Sequence, residues 1–354
     1  MGRCYINGTG VASVQGEERS FDQFEPISEN VTLVRKLNYK QFIPAGQIRR
    51  MSSAVKNGIF ASNKALNEAG IEMPNAIISG TGLGCTIDSD RFLKKIVDDN
   101  EQYLTPTNFV QSTHNTVGGQ IALGMKCKAY NMTYVHEANS FESALIDGML
   151  MLDEGESNIL VGGVDELAPY DIDLFKRMDL MKDSEEISIE DFNHPNTSGT
   201  AFSEGAQFFL INSEKNENSY AEIKGVKTFS KIQIDEVEKE ISAFLNQQNI
   251  NFKDIDVLVL GKNGDSRYEA YYKKLQDLAS QEDIQQTYYK PYSGEYNTVN
   301  SFGMFIAASM IKNQMVPERY KLNNSNKSEI KNVLIYNQYN GKSHSFILLS
   351  DVKL

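Results

Sequence analysis

The chain has 354 residues, of which 40% are hydrophobic and 23% are charged, so it can bury a sizeable core. Its 47 acidic and 35 basic residues give a formal net charge of −12, which argues against nucleic-acid binding and against an anionic membrane surface. No apolar run approaches the roughly 20 residues that cross a bilayer. The first residues contain no apolar signal segment, so we expect them to belong to the fold.

Short apolar strands alternate with helical stretches in the first half, which indicates a layered α/β fold. Residues 53–69 have apolar or small side chains at helical spacing and predict a helix, and residues 75–80 predict the strand after it. A second helix is predicted from Ser140, interpreted as its N-cap, to a stop at Gly155. Residues 157–163 predict the buried strand that follows.

The second half repeats this alternation. It predicts a helix over 234–244, a strand over 255–260, a deeply buried helix over 302–311 and a strand over 333–336. The polar, turn-rich stretch 212–220 separates the two halves. We therefore expect an N-terminal unit over residues 1–215 and a C-terminal unit over residues 216–354.

Two glycine clusters could be mistaken for nucleotide-binding loops, Gly8-Thr9-Gly10 and residues 80–84. Neither has glycine at the third position of the dinucleotide fingerprint, where Ser13 and Cys85 stand, and neither has the Gly-Lys-Ser/Thr of a phosphate loop. Close packing of the backbone against a neighbouring element explains both clusters better.

The cysteines and histidines predict no metal site. The cysteines at positions 4, 85 and 127 have neither metal-ligand spacing nor an even count, which favours reduced thiols in a cytoplasmic protein. His114 and His136 have no carboxylate or cysteine at ligand spacing. Cys127 lies between two lysines that could lower its pKa, but an unreactive thiol is the better interpretation.

Several segments along the chain occur in an order and spacing that point to one family. They are Tyr5–Val11, Arg49–Ser52, Ala65–Ile71, Pro106–Ala122, Gly162–Glu166, Gly199–Ala206, Lys290, Val316-Pro317 and the stretch at Asn337. Together they resemble the β-ketoacyl synthases of the thiolase superfamily over nearly the whole chain. The resemblance implies an α/β fold with α-β-α-β-α layers made of two similar halves.

The resemblance also implies where catalytic residues would lie. In that family a cysteine at a helix N-terminus takes an acyl chain from a carrier protein, and two histidines help to decarboxylate a malonyl unit. By position the cysteine corresponds to Ala138 and the first histidine to Asn263. The second histidine corresponds to Glu295, five residues after the family's lysine, which is retained as Lys290. No nucleophile and neither histidine is therefore expected, and no cofactor or metal is implied.

The family's glycine-rich gate corresponds to the stretch from Asn337 through Tyr339, Asn340 and Gly341 to Ser343, where Gly341 replaces the gating aromatic residue. We expect a loop here. A shift of one residue in the alignment would move the cysteine position from Ala138 to a neighbour, and neither neighbour is a cysteine.

Ketosynthase homologues without the cysteine are familiar as the chain-length factors of heterodimeric ketosynthases. The resemblance implies a non-catalytic subunit of that kind, in polyketide, polyene or specialised fatty acyl synthesis, with a catalytically competent ketosynthase, an acyl carrier protein and an acyl chain as partners. The dimer interface would include Asn131, Met132, Thr133, Tyr134, Val135 and His136. Two alternatives stay open: a divergent carrier-dependent acyltransferase using Glu137, Asn263, Glu295 and Lys290, and a homodimeric acyl-chain or carrier-binding protein.

Overall fold

The computed structural model describes residues 2–17, 19–35, 37–104 and 106–353. The strands are β1 (Tyr5–Ala12), β2 (Val31–Thr32), β3 (Ala76–Gly80), β4 (Tyr130–Tyr134), β5 (Ile159–Asp165), β6 (Phe202–Ser203), β7 (Gly205–Asn212), β8 (Glu222–Phe229), β9 (Val257–Leu260), β10 (Gln285–Tyr288), β11 (Asn332–Tyr339) and β12 (Lys342–Ser350). The α-helices are α1 (Ala45–Ile48), α2 (Ser53–Ala69), α3 (Thr86–Asp98), α4 (Pro106–Gln111), α5 (Thr116–Met125), α6 (Ser140–Asp153), α7 (Pro169–Arg177), α8 (Glu190–Asn193), α9 (Val237–Gln247), α10 (Glu269–Gln281) and α11 (Asn300–Asn313).

Ten strands form one hydrogen-bonded sheet in the order β10-β9-β11-β12-β8-β1-β7-β5-β3-β4. Each half contributes five strands to this sheet, and their order is the same in both halves. From the outer edge to the middle, the N-terminal half runs β4-β3-β5-β7-β1 and the C-terminal half runs β10-β9-β11-β12-β8. The first two contacts of each half are parallel and the next two antiparallel. The halves join through the pair Tyr5 and Glu222. This repeated topology confirms the predicted α/β fold of two similar halves, whereas the unit boundary at residues 215 and 216 stays a prediction.

The layers follow from the alternation of side chains along the strands. Ile77 packs with α2 and α5 on one face of β3, while Ile78 packs with α6 and α11 on the other. In the C-terminal half, Leu258 packs with α9 and α10, and its neighbour Val259 packs with the α6 and α11 cluster. The two sheet halves therefore lie on opposite sides of α6 and α11, which gives five layers. The predicted deep burial of the 302–311 helix is confirmed, because nearly all of α11 is buried.

The glycine cluster in β1 brings the strand against α2. A Cβ atom on Gly8 would lie 2.3 Å from the Ala65 carbonyl oxygen, and one on Gly10 would lie 1.8 Å from the Ala61 carbonyl oxygen. Gly80 is equally close to α6, with its Cβ position 2.4 Å from the Ser140 carbonyl oxygen. These contacts confirm that the glycines allow close backbone packing.

Several predicted element boundaries differ from the structure by one to three residues: the strand predicted over 157–163 is β5, and the helix predicted over 234–244 becomes α-helical only at Val237. The N-cap of α6 is Asn139, and Ser140 is the first helical residue, where its Oγ accepts a hydrogen bond from the His136 N–H at 2.8 Å. Strand β11 extends three residues beyond its predicted end, to Tyr339. In the described ranges, no helix is both long enough and apolar enough to cross a membrane.

Candidate functional site

Ala138 lies in the turn between β4 and α6. Its side chain is buried, and the preceding residue, Glu137, has a backbone φ of +47°. A positive φ at a residue with a Cβ atom costs roughly 1–2 kcal/mol, so packing must hold this turn in place. Ser140 contributes, because its Oγ donates to the Glu137 carbonyl oxygen at 2.6 Å. The methyl group of Ala138 offers no nucleophile at the start of α6.

The other three predicted site residues contact one another. Lys290 Nζ donates to Glu295 Oε2 at 2.8 Å, and Asn263 Nδ2 donates to the same oxygen at 2.9 Å. Asn263 follows β9 and Lys290 follows β10, and these strands are parallel neighbours, so their carboxyl ends bring the two residues to one edge. Glu295 stands in the turn before α11. We call these residues the Asn263–Lys290–Glu295 cluster.

Burial dominates the electrostatics of this cluster. The Lys290 and Glu295 side chains are each only 1% exposed. Burial raises the pKa of Glu295 and lowers that of Lys290, and the ion pair between them opposes both shifts. With its Oε2 held by two donors, Glu295 serves as an internal counter-ion. The cluster contains neither an imidazole nor a thiol, and its two ionisable groups are paired with each other.

A second buried carboxyl group, Glu142 on α6, lies near this cluster. Its Oε1 accepts hydrogen bonds from Asn300 Nδ2 and Ser345 Oγ, both at 2.7 Å, so it links α6 to α11 and β12. Burial raises the pKa of Glu142, and the nearby Lys290 partly offsets this rise. Sequence reasoning missed Glu142. The only signal was a glutamate within the apolar face of a predicted helix.

The predicted gating loop is a tight hairpin. Asn337 and Tyr339 belong to β11, and only Asn340 and Gly341 stand between the paired residues Tyr339 and Lys342. Both turn residues have positive φ, +53° and +66°, as a two-residue type I′ turn requires, and Asn-Gly is the preferred sequence for it. The expectation of a loop over Asn337 and Tyr339 was therefore wrong. The proposed gating role of these residues stays a prediction.

The cavity beside Tyr339 is small. Its volume is about 20 Å³, and its walls include Phe202, Tyr296 and Asn297. Burial raises the pKa of the Tyr339 hydroxyl, and the carboxylates of Glu295 and Glu137 act in the same direction, so the ring lies near both. The cavity holds about one water molecule, whereas small-molecule sites usually measure several hundred Å³. The single chain therefore presents no acyl-sized pocket at this position.

Strand β4, which covers most of the predicted dimer interface, is an edge strand of the sheet. Met132 is 40% exposed and Val135 is 49% exposed, and His136 is also exposed. Asn131 is also exposed, but its side chain lies against α5, where Nδ2 donates to the Gly118 carbonyl oxygen at 2.9 Å. The structure leaves this edge uncovered in the single chain, and its role in pairing stays a prediction.

Comparison with known proteins identifies the family. The N-terminal domain of β-ketoacyl synthases, as described by a family model, matches residues 28–208, which is just over half of the chain. The chain belongs to the β-ketoacyl synthase family. The resemblance deduced from the spacing of its motifs is thereby confirmed. No curated protein sequence matches this family member.

Solved structures share the fold of this β-ketoacyl synthase family member at low sequence identity. The ishigamide ketosynthase/chain length factor has a TM-score of 0.80 at 15% identity, covering 99% of each chain. The type II ketosynthase AntDE in complex with the carrier protein AntF has a TM-score of 0.78 at 15% identity, covering 99% of this chain and 100% of that chain. The ketosynthase ApeO in complex with its chain length factor ApeC from Xenorhabdus doucetiae has a TM-score of 0.76 at 14% identity, covering 99% and 98%.

Proposed function

We propose that this chain is a non-catalytic, chain-length-factor-like subunit that pairs with a catalytically competent ketosynthase in polyketide, polyene or specialised fatty acyl synthesis. The observation that carries the proposal is the Asn263–Lys290–Glu295 cluster, a buried ion pair formed by residues that the resemblance assigns to the family's two histidines and lysine. Ala138, at the start of α6, supplies no nucleophile, and the Asn263–Lys290–Glu295 cluster contains no imidazole. Its inferred contribution to the complex is structural.

Exposed apolar side chains near the sheet edge support pairing with another subunit. Large exposed apolar patches on a soluble protein mark interaction surfaces, and uncovered edge strands are a liability that proteins usually protect. Beyond Met132 and Val135 on and after β4, the exposed apolar residues on α3, α4 and α5 are Leu93, Val97, Phe109, Val110 and Leu123. We infer that the partner subunit covers this surface, including the residues from Asn131 to His136.

The solved relatives support the choice of partners. One is a ketosynthase in complex with its chain length factor, and another is a type II acyl-carrier protein in complex with its ketosynthase. We extend both partners to this chain as part of the proposal. The small cavity beside Tyr339 leaves no room for an acyl group near the Asn263–Lys290–Glu295 cluster, which favours this role over an acyltransferase function of that cluster in the single chain.

Co-expression with the ketosynthase encoded nearest to this gene tests the proposal. We expect the two proteins to co-purify and only the mixed complex to condense a malonyl unit presented on a carrier protein. Met132→Arg should abolish co-purification, whereas Met315→Arg, at a residue equally exposed beyond the C-terminal end of α11, should not. Turnover by this chain alone would support a divergent acyltransferase, and a stable homodimer that binds no ketosynthase would support the third alternative.

A further inference from the structure

One carboxylate stands on the exposed face of β4. Asp147 of α6 accepts a hydrogen bond from the Tyr130 hydroxyl through Oδ2 at 3.2 Å. The Tyr134 hydroxyl faces the same carboxylate, which contributes to the raised pKa of that tyrosine after partial burial. Within the described part of the chain, Asp147 forms no ion pair with a lysine, arginine or histidine.

The residues around this carboxylate form one surface. Tyr130, Met132 and Tyr134 alternate along β4 and therefore share one side of the strand, and Leu150 extends the surface along α6. The intervening strand residues point to the other side, towards Gly118 of α5. We call Tyr130, Met132, Tyr134, Asp147 and Leu150 the β4 face.

The β4 edge lacks the usual devices that prevent pairing. The strand contains no lysine and no proline, and its register with β3 runs without a bulge from Ala76 to Gly80. Natural edge strands that stay solvent-exposed commonly carry such devices. A regular, uncharged edge flanked by exposed Tyr130 and Met132 is suited to adding a strand from another subunit, with Asp147 the charged group beside the new contact.

The identity of that subunit depends on symmetry. If two copies paired their β4 strands antiparallel about a two-fold axis at Met132, Met132 would face its own symmetry mate and Tyr130 would face Tyr134 of the other copy. Asp147 lies over this central stretch, so the pairing would bring two carboxylates together in a contact that excludes water. Like charges that lose solvent in this way oppose association. A different subunit can instead place a cationic side chain at this position.

We propose that Asp147 selects the partner of this chain: it receives a lysine or arginine side chain from a non-identical subunit and disfavours pairing of two copies. The inference rests on the proposed function, since it takes the β4 face as the contact with a ketosynthase partner. It adds the charge that the partner must carry at that contact. The lysine or arginine nearest to β4 in the sequence is Lys128, two residues before the strand.

Asp147→Asn tests both parts of the inference. Sedimentation of the isolated chain should show the variant self-associating at least roughly tenfold more tightly than the wild type, because a carboxylate repulsion has been removed. The complex with the co-expressed ketosynthase should weaken by at least a similar factor, and the weakening should shrink at high salt. Asp235→Asn, an exposed aspartate of the C-terminal half, is the matched control and should change neither affinity.

Several outcomes separate this inference from the function on which it rests. Unchanged self-association and unchanged ketosynthase affinity in Asp147→Asn would overturn the selection role while leaving the pairing of subunits intact. Weaker self-association in Asp147→Asn, matched by Lys128→Gln, would mean that Asp147 binds a second copy, which also overturns it. If no ketosynthase binds the wild type but Asp147→Asn tightens self-association, the proposed function fails and the repulsion between copies stands.

Discussion

Replacing Glu295 with glutamine tests the electrostatics of the Asn263–Lys290–Glu295 cluster most sharply. The change preserves the shape of the side chain but removes the charge that Lys290 Nζ contacts at 2.8 Å. At an effective dielectric constant near 20, the attraction at that distance is about 6 kcal/mol, and it offsets the cost of desolvating both ions. The variant leaves Lys290 buried without a counter-ion.

The cost of the variant is bounded by the response of the lysine. Lys290 can lose its proton, and forcing a group with an ordinary pKa of about 10.4 to be neutral at pH 7 costs about 4.5 kcal/mol. Breaking a buried ion pair by removing one partner typically costs about 3–5 kcal/mol. We therefore expect Glu295→Gln to lower the free energy of unfolding by about 3–5 kcal/mol at pH 7, measured by urea denaturation.

The dependence on pH distinguishes this mechanism from damaged packing. In Glu295→Gln the folded state keeps Lys290 neutral while the unfolded state binds a proton, so stability relative to the wild type should rise with pH, by up to about 1.4 kcal/mol per unit between pH 7 and 10. Lys290→Met should show the opposite trend: Glu295 is then protonated when folded, and stability is lost as pH rises above about 4.3. Combining both changes should restore much of the stability.

A matched control is available on α3. Asp90→Asn removes an ion pair of similar length, Lys94 Nζ to Asp90 Oδ2 at 2.6 Å, in which the lysine is 65% exposed. Pairs of this kind contribute no more than about 0.5 kcal/mol. If Glu295→Gln shifts the unfolding midpoint no more than Asp90→Asn does, the buried ion pair is refuted. A large loss of stability that does not vary with pH would refute the unpaired lysine as its cause.

Three further predictions follow from the fold. Gly10→Ala should destabilise the protein by about 3 kcal/mol or more in chemical denaturation, because its Cβ would lie 1.8 Å from a backbone oxygen of α2. The control Gly119→Ala, on the exposed face of α5, should be neutral or stabilising by up to about 1 kcal/mol. Equal effects of the two substitutions would refute the packing argument. Burial lowers the pKa of His344 to about 4, so only the unfolded state binds a proton at this residue as pH falls from 6.5 towards 4. Over that range the free energy of unfolding of the wild type should fall by up to about 3 kcal/mol relative to that of His344→Gln. Parallel pH profiles of the two proteins would contradict this. Gly341→Ala should cost about 1–2 kcal/mol in thermal unfolding because of the positive φ, and a cost no larger than that of an exposed loop substitution would contradict the type I′ turn.

Local patterns predicted the elements whose stability depends on a clear apolar periodicity. The helix over residues 53–69 was predicted with the bounds it has, because Ser52 caps it and Gly70 ends it in the left-handed conformation. The N-cap of α6 was misplaced by one residue, since both Asn139 and Ser140 suit a cap and only tertiary contacts decide between them. Helix α3 was missed, although Leu93 and Val97 stand four residues apart on one side of it.

The site was predictable where residues are close in sequence. Lys290 and Glu295 are five residues apart, both were singled out by the family resemblance, and they form an ion pair in the structure. Glu142 was missed because its partner Asn300 is 158 residues away, a contact that no local pattern encodes. The hairpin at Asn340 had a local signal, the Asn-Gly pair, but the family's loop at this position was given more weight.

Intact-mass analysis of the co-purified complex, after incubation with acyl-loaded carrier protein, tests the central claim most directly. The measurement detects an acyl group on either subunit, so the catalytic partner is an internal positive control. We expect acylation of the ketosynthase partner alone, with this chain unmodified because Ala138 offers no nucleophile. An acyl adduct on this chain would contradict the non-catalytic role.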